Sequence, residues 1–217
     1  MEGHHRRRGH SVLLITQTTL SDPIRFYRDH DAIDAQEAME PTQGPEEEII
    51  QLEGSFKANG ILVHDEKQAK WLNERGYGTG DETVMLSVPE ALFLMETRRL
   101  KVSAREGREL TFEQLLRKAT KLDRSVWHRY LILRDLRSRG YVTREGYGLG
   151  TDFNVYEKGT FPTEAKFLVV GLSEGSPIKF NDLINILKRA QSNRKMLVLA
   201  VIDRRSEVVY YSISRLI

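Results

Sequence analysis

The chain has no cysteine, which removes disulfide bridges and thiolate-held zinc and is compatible with a reducing compartment. No apolar run approaches the ~20 residues needed to cross a bilayer. The basic start MEGHHRRRGHSVLL also lacks the apolar core of a secretory leader. A soluble, cytoplasmic protein with no membrane partner is therefore expected. Internal repeats are absent as well, and no low-complexity tract signals wholesale disorder. What is present is 217 residues with 40% hydrophobic content. That is enough for one large core or two small ones, and two small domains are expected.

The net charge of +2 hides an asymmetry. Residues 1–110 carry 14 Lys+Arg against 20 Asp+Glu (14 − 20 = −6), and residues 111–217 carry 19 against 11 (19 − 11 = +8). A basic half of that size is the footprint of a protein that meets phosphates.

Residues 1–45 show no sustained period and read as an extension, with one β-type segment at 11–17 and a basic tip, HHRRRGH, that reads as a tail. From 46 the pattern tightens. The stretch EIIQLEGSFKANGILVHD alternates and breaks at Asn59-Gly60, a two-residue hairpin signal. Ala69, Trp71 and Leu72 lie near helical spacing before Gly76, and ETVMLSV reads as a strand. Ser87 to Glu90 and Thr111 to Gln114 are capping boxes opening two helices. Ser125 is expected to cap a third, VWHRYLILRDLRSR, which Gly140 stops and whose arginines read as a solvated face. Strand-like stretches follow over 140–159 and 165–174, then a helix from Asn181, then KMLVLAVID, continuous enough for a central strand, and the alternating EVVYYSISRLI. That last strand is a suitable edge for pairing with a partner subunit. GYGLG at 146–150 precedes no helix, so it reads as a hairpin turn and not a phosphate cradle. The fold class is α/β in the mixed α+β sense. An extension covers 1–45, an accessory domain 46–122 and a second domain 123–217, each domain a mixed sheet packed with helices.

The strings RYLILRDLRSRGYVTREGYGLGTDFNVYEKG and AQSNRKMLVLAVID resemble the archaeal tRNA-splicing endonuclease family. Weaker matches, GILVHDEKQAKWLNERGYG and LSVPEALFLMETRRLKV, resemble that family's small accessory domain, so the resemblance runs from about residue 46 to the end. It implies a nuclease-like second domain and an enzyme that removes introns from precursor tRNA by reading a bulge-helix-bulge shape. It also implies assembly from four similar units, as a homo- or heterotetramer with a related subunit. The family's cleavage uses the neighbouring 2′-hydroxyl, leaves a 2′,3′-cyclic phosphate and a 5′-hydroxyl, and needs neither metal nor cofactor. One group must accept the 2′-hydroxyl proton, another must donate to the leaving oxygen, and a cation must stabilise charge on the phosphorus oxygens.

The family fills these posts with tyrosine, histidine and lysine. Tyr156 in DFNVY matches the tyrosine and Lys195 in SNRK the lysine, but Glu164 stands where the histidine is expected. None of the six histidines (4, 5, 10, 30, 64 and 128) lies on that strand pair. A carboxyl serves as general acid only if burial or an anion such as a substrate phosphate raises its pKa. Beside Lys166 and Lys195 the expected influence is the opposite. Lys188 occupies a position where the family carries a base-stacking arginine, keeping the charge without the planar face, and Lys188 and Arg194 are the expected RNA contacts. The loop 203–207, DRRSE, holds two arginines where the family has an acidic docking loop.

The resulting expectation is a structural, RNA-binding subunit of a splicing endonuclease. Two alternatives stand beside it. The chain is itself the nuclease, with the acid step supplied by Glu164 or a partner, or it is a non-catalytic module that binds structured RNA.

Overall fold

The computed structural model describes residues 12–18, 51–58, 60–104, 107–146 and 150–216. In chain order the elements are β1 (Val12–Thr18), β2 (Leu52–Lys57), β3 (Gly60–Val63), α1 (Glu66–Glu74), β4 (Val84–Leu86), α2 (Val88–Glu96), β5 (Leu100–Ser103), β6 (Glu109–Leu110), α3 (Phe112–Thr120), α4 (Val126–Ser138), β7 (Val142–Glu145), β8 (Phe153–Tyr156), β9 (Phe167–Ser173), α5 (Phe180–Ser192), β10 (Met196–Ile202) and β11 (Val208–Leu216). They form two mixed sheets with helices against them, one ordered β4-β3-β2-β5-β6 and the other β1-β11-β10-β9-β8-β7. No helix among the described residues is long and apolar enough to cross a membrane.

In the first sheet β2 and β3 form the expected hairpin, with Lys57 opposite Gly60. Asn59, on which half of the turn signal rested, lies outside the described residues, as do the tail HHRRRGH and residues 147–149 of the glycine-rich turn. Both capping boxes form as their spacing demands. Ser87 Oγ accepts from the Glu90 amide while the Glu90 carboxylate reaches back, and Thr111 and Gln114 repeat the exchange. At α4 the cap differs from expectation. Ser125 makes no side-chain cap, because its amide and hydroxyl both donate to the Asp123 carboxylate. Those bonds, led by the one from the Ser125 side chain, hold the Asp123 carboxyl below the ordinary carboxylate range.

The second sheet explains why residues 196–202 form a continuous apolar run. Strand β10 is central, parallel to β9 and antiparallel to β11. Val198, Ala200 and Ile202 join the core that contains α4, whereas Leu197 and Leu199 join the smaller core under α5. Both faces being covered, alternation is lost. The larger core does not stop at the second sheet. It runs through Leu131, Ile132 and Leu136 of α4 to Leu92 and Leu94 of α2 and on to Leu52 and Ile61 of the first sheet.

The edge that β11 was expected to offer to a partner is occupied by this chain itself. Strand β1 pairs antiparallel along it from Val12 opposite Leu216 to Thr18 opposite Tyr210. A segment early in the sequence thus supplies the outer strand, and Leu14 and Ile15 remain exposed on it.

The arginines of α4 are not a uniformly solvated face. Arg129 pairs with Glu145, and Arg137 is half-buried between the turn after α1 and the start of β7. Its guanidinium donates to Arg75 O (2.8 Å), Gly76 O (2.7 Å), Thr143 O (3.0 Å) and Thr143 Oγ1 (3.1 Å). It also lies 3.9 Å from the centroid of the Tyr77 ring. Burial pushes it below the ordinary arginine range, a shift opposed by Tyr77 and Glu90. Replacing it leaves enclosed acceptors without donors, so Arg137→Met is expected to lower the unfolding free energy by about 3–5 kcal/mol. Urea denaturation followed by circular dichroism measures this, and a loss below about 1 kcal/mol would contradict the clamp.

Tyr210 of β11 is buried and donates its hydroxyl to the Asp135 carboxylate of α4 at 2.7 Å. Burial, reinforced by that carboxylate, pushes the phenol far above its ordinary range. An acid whose folded pKa is raised contributes stability that is present below its unfolded value, about 10, and lost as pH rises above it. The stability advantage of the wild type over Tyr210→Phe, about 1–3 kcal/mol at neutral pH, should therefore shrink above about pH 10. An advantage that grew with pH would reverse this assignment.

Candidate active site

The residues singled out from the sequence gather at one end of the second sheet because of strand direction. Strand β8 runs antiparallel to β9, so its last residue, Tyr156, lies beside the first residues of β9. Strand β10 runs parallel to β9 with Met196 opposite Phe167, which sets Lys195 beside Lys166. Two backbone bonds fix the row, from Lys166 N to Val155 O at 2.9 Å and from Met196 N to Lys166 O at 3.0 Å. Val155, Phe167 and Met196 face the α4 core. The pleat therefore turns Tyr156, Lys166 and Lys195 to the α5 face.

Beyond β10 the same end is closed by the last turn of α5. Lys195 N donates to Ala190 O at 2.9 Å, and Arg194 before it adopts φ 55. Lys188 and Arg194 are exposed, and Lys195 is partly so. Cations here also complement the negative end of the α5 dipole, which alone accounts for part of their placement. Among the described residues the Lys195 ammonium has no ion-pair partner.

Glu164 lies in the turn before β9, where its amide donates to Thr160 O at 3.4 Å. It is exposed, and its carboxylate pairs with nothing among the described residues. The expected neighbour Lys166 instead binds Glu157, Nζ to Oε1 2.6 Å. Lys166 and Glu157 thus belong to the arrangement although no sequence signal marks them as a pair; a separation of nine residues across a turn carries no period.

Neither described histidine stands at this end. His128, on α4, makes a 3.2 Å hydrogen bond to the hydroxyl of Ser173 at the far end of β9. Ser173 lies six residues along β9 from Phe167, roughly 20 Å. His64 is exposed after β3 in the first unit, and residues 4, 5, 10 and 30 lie outside the described residues. Among the described residues no three histidine or carboxylate side chains gather as a metal site.

Tyr156 is set by its packing. Its ring is edge-on to Phe161, with centroids 5.2 Å apart and planes at 87°. Phe161 and Val142 in turn abut Gly76 of the first unit, where a β-carbon would lie 3.1 Å from the Phe161 ring and 2.5 Å from Val142 Cγ1. Gly76 also has φ +67, a left-handed conformation that disfavours other residues. In the loop 203–207, Asp203 accepts from the amides of Glu207 (2.9 Å) and Arg205 (2.8 Å). Those bonds, the one from the Glu207 amide foremost, hold its carboxyl below the ordinary range. The Arg205 guanidinium spans Asp203 and Glu207, so the acids of this loop are neutralised within it.

A two-sheet fold with a tyrosine and lysines at one sheet end is an arrangement suited to handling phosphates, and the family comparisons name the class. Residues 52–116 match the family model of the tRNA intron endonuclease N-terminal domain, and residues 126–210 that of its catalytic C-terminal domain. The chain is 35% identical over 158 residues to a tRNA-splicing endonuclease of Methanococcus vannielii, covering 72% of this chain and 89% of that protein. It is also 35% identical over 142 residues to one of Pyrococcus abyssi, covering 65% and 82% respectively. The chain belongs to the tRNA-splicing endonuclease family.

Because Gly76 abuts the ring that packs on Tyr156, Gly76→Ala is expected to cost about 1–3 kcal/mol. It should also shift the ring resonances of Phe161 and Tyr156 in NMR spectra. An alanine variant with unchanged resonances would show that the contact does not position Tyr156.

Proposed function

We propose that this chain is a structural, RNA-binding subunit of a tRNA-splicing endonuclease. The assembly cleaves precursor tRNA at its intron boundaries and leaves 2′,3′-cyclic phosphate and 5′-hydroxyl ends. The observation that carries this reading is Glu164, an exposed and unpaired carboxylate at the position of the expected histidine, with both described histidines elsewhere. An acidic side chain there puts a group that repels phosphate where the family's chemistry calls for a proton donor. Family membership and the basic half of the chain support precursor tRNA as the substrate. The working division remains an extension at 1–45, an accessory domain at 46–122 and a nuclease-like domain at 123–217. The assembly is a tetramer, shared with a related subunit that owns the acid, and the expected RNA contacts on this chain are Lys188 and Arg194. With β11 covered by β1, the contact with that subunit uses another surface.

A second reading is favoured by one specific observation, the row of Tyr156 and Lys195 at one sheet end. In it the chain is the nuclease, Tyr156 accepts the 2′-hydroxyl proton, Lys195 stabilises the phosphorane charge, and Glu164 or a partner protonates the leaving oxygen.

The discriminating assay uses an intron-containing precursor tRNA, with this chain alone and mixed with a related subunit from the same genome. The expected result is no cleavage alone, cleavage in the mixture, and less than about a twofold rate change on Lys195→Ala in this chain. Because a positioned acid contributes about 10²–10⁴ in rate, Glu164→His should confer measurable cleavage on the chain alone. Cleavage by the unmodified chain alone, abolished by Lys195→Ala, would overturn the structural reading.

A further inference from the structure

Several cations on the molecule have local partners. Arg139 pairs with Asp135, Arg129 with Glu145, Lys166 with Glu157, and Arg205 with Asp203 and Glu207. Apart from the sheet end that holds Lys195, a second surface gathers cations without such partners. Two open grooves of about 670 and 760 Å³ flank α3 and share Arg117 and Lys121. Around them stand Lys57, Arg108, Lys118 and Arg124, all exposed. None of these six cations makes an ion pair or side-chain hydrogen bond among the described residues. Among the described residues Glu113 is the one carboxylate lining either groove.

The concentration is not a by-product of composition. Residues 1–110, which contribute Lys57 and Arg108, carry an acidic excess of six (14 − 20 = −6). The cations come from three separate elements, namely the end of β2, the approach to β6, and α3 with its following turn. They converge because β2 runs parallel to β5 with Ser55 opposite Ser103, which sets the end of β2 beside the approach to β6, and α3 leads directly out of β6. Leu115 and Ala119 turn inward and leave Arg117, Lys118 and Lys121 on the outer side. Cations near the end of α3 gain from its dipole. That gain does not extend to Lys57 or Arg108, which belong to other elements.

We infer that the α3 grooves bind the phosphate backbone of structured RNA at a distance from the sheet end that holds Tyr156 and Lys195. Unpaired, exposed cations lining an open groove suit a polyanion whose charges recur along its length. The separation matters for what is bound. The grooves are lined by the ends of β2 and β5, by β6, by α3 and by the turn after it, and they share no residue with the end of the second sheet that holds Tyr156 and Lys195. An RNA reaching both has to span from the first sheet's unit to the second sheet. The inference rests on the proposed function for its RNA, and it deepens that function by assigning the arms of the precursor, outside the bulge-helix-bulge, to these grooves.

The test is the full chain, in whatever assembly it forms, with Arg117→Glu and Lys121→Glu together. Lys57→Glu with Arg108→Glu serves as a second pair on different elements. Affinities are measured over a sodium chloride series for a whole precursor tRNA, a minimal bulge-helix-bulge duplex and an unrelated RNA hairpin. Each reversed pair is expected to weaken the whole precursor at least tenfold and reduce its salt slope by about two, at about one unit for each phosphate no longer neutralised. The minimal duplex should change less than twofold. Unchanged precursor affinity, or equal weakening for the precursor and the minimal duplex, would overturn the inference. So would variants that keep RNA affinity but fall apart on gel filtration, the mark of a protein-docking surface. Wild-type protein that binds the precursor no better than the unrelated hairpin would sink the functional reading separately. The reversed pairs would still judge the grooves, through their effect on the longer RNA.

Discussion

Arg137 is the contact on which the arrangement of both sheets depends. The last carbonyls of a helix have no partner within it. Those following α1, on Arg75 and Gly76, are satisfied by a guanidinium from α4, about sixty residues later. The same guanidinium closes the start of β7 through Thr143. Just beyond, the buried Glu90 carboxylate accepts from Gly78 N at 3.0 Å while serving as the second half of the α2 capping box. The turn 75–78 is therefore held from one side by a cation and from the other by an anion. Burial raises the Glu90 carboxyl, against bonds from Gly78 and Ser87 that lower it. Neither charge is tolerable there without the bonds it makes.

This turn reaches the candidate site through contact alone. Gly76 leaves room for Val142 and Phe161, and Phe161 meets Tyr156 edge-on. The accessory unit thus bears on the row of Tyr156, Lys166 and Lys195 without contributing a group to it. The large core joins the same two units, with α2 against α4, so apolar packing and the Arg137 bonds resist the same relative motion.

Local features were legible in the sequence because they have local causes. The two capping boxes, the stop at Gly140 and the unbroken run of β10 each follow from residues within a few positions. What escaped reading is long-range. Arg137 looks like any arginine on an amphipathic helix until its partners, some sixty residues earlier, are in place. The pairing of β1 with β11 joins positions about 200 apart, and the period of either strand says nothing about the other. The Lys166–Glu157 pair escaped for a different reason, since two lysines near one glutamate suggested the wrong carboxylate. At the candidate site, Tyr156, Lys195 and Glu164 were singled out only through resemblance, because a tyrosine at a strand end, a lysine before a strand and a glutamate in a turn carry no chemical signal by themselves.

Under the proposed function, a carboxylate at position 164 where the resemblance calls for an imidazole poses an energetic question. An ordinary carboxyl titrates near 4.3 and an ordinary imidazole near 6.5, so keeping a proton on the former at neutral pH costs roughly 3 kcal/mol more, or about a hundredfold in the population able to donate. Desolvation against a bound phosphate offsets such a cost only where water is excluded, and an exposed turn is a poor place to exclude it. A second subunit that brings its own imidazole to the leaving oxygen avoids the cost altogether. In the proposed structural reading this chain then positions RNA through cations already at the sheet end, and that economy is the physical argument by which the proposal places the acid on the partner.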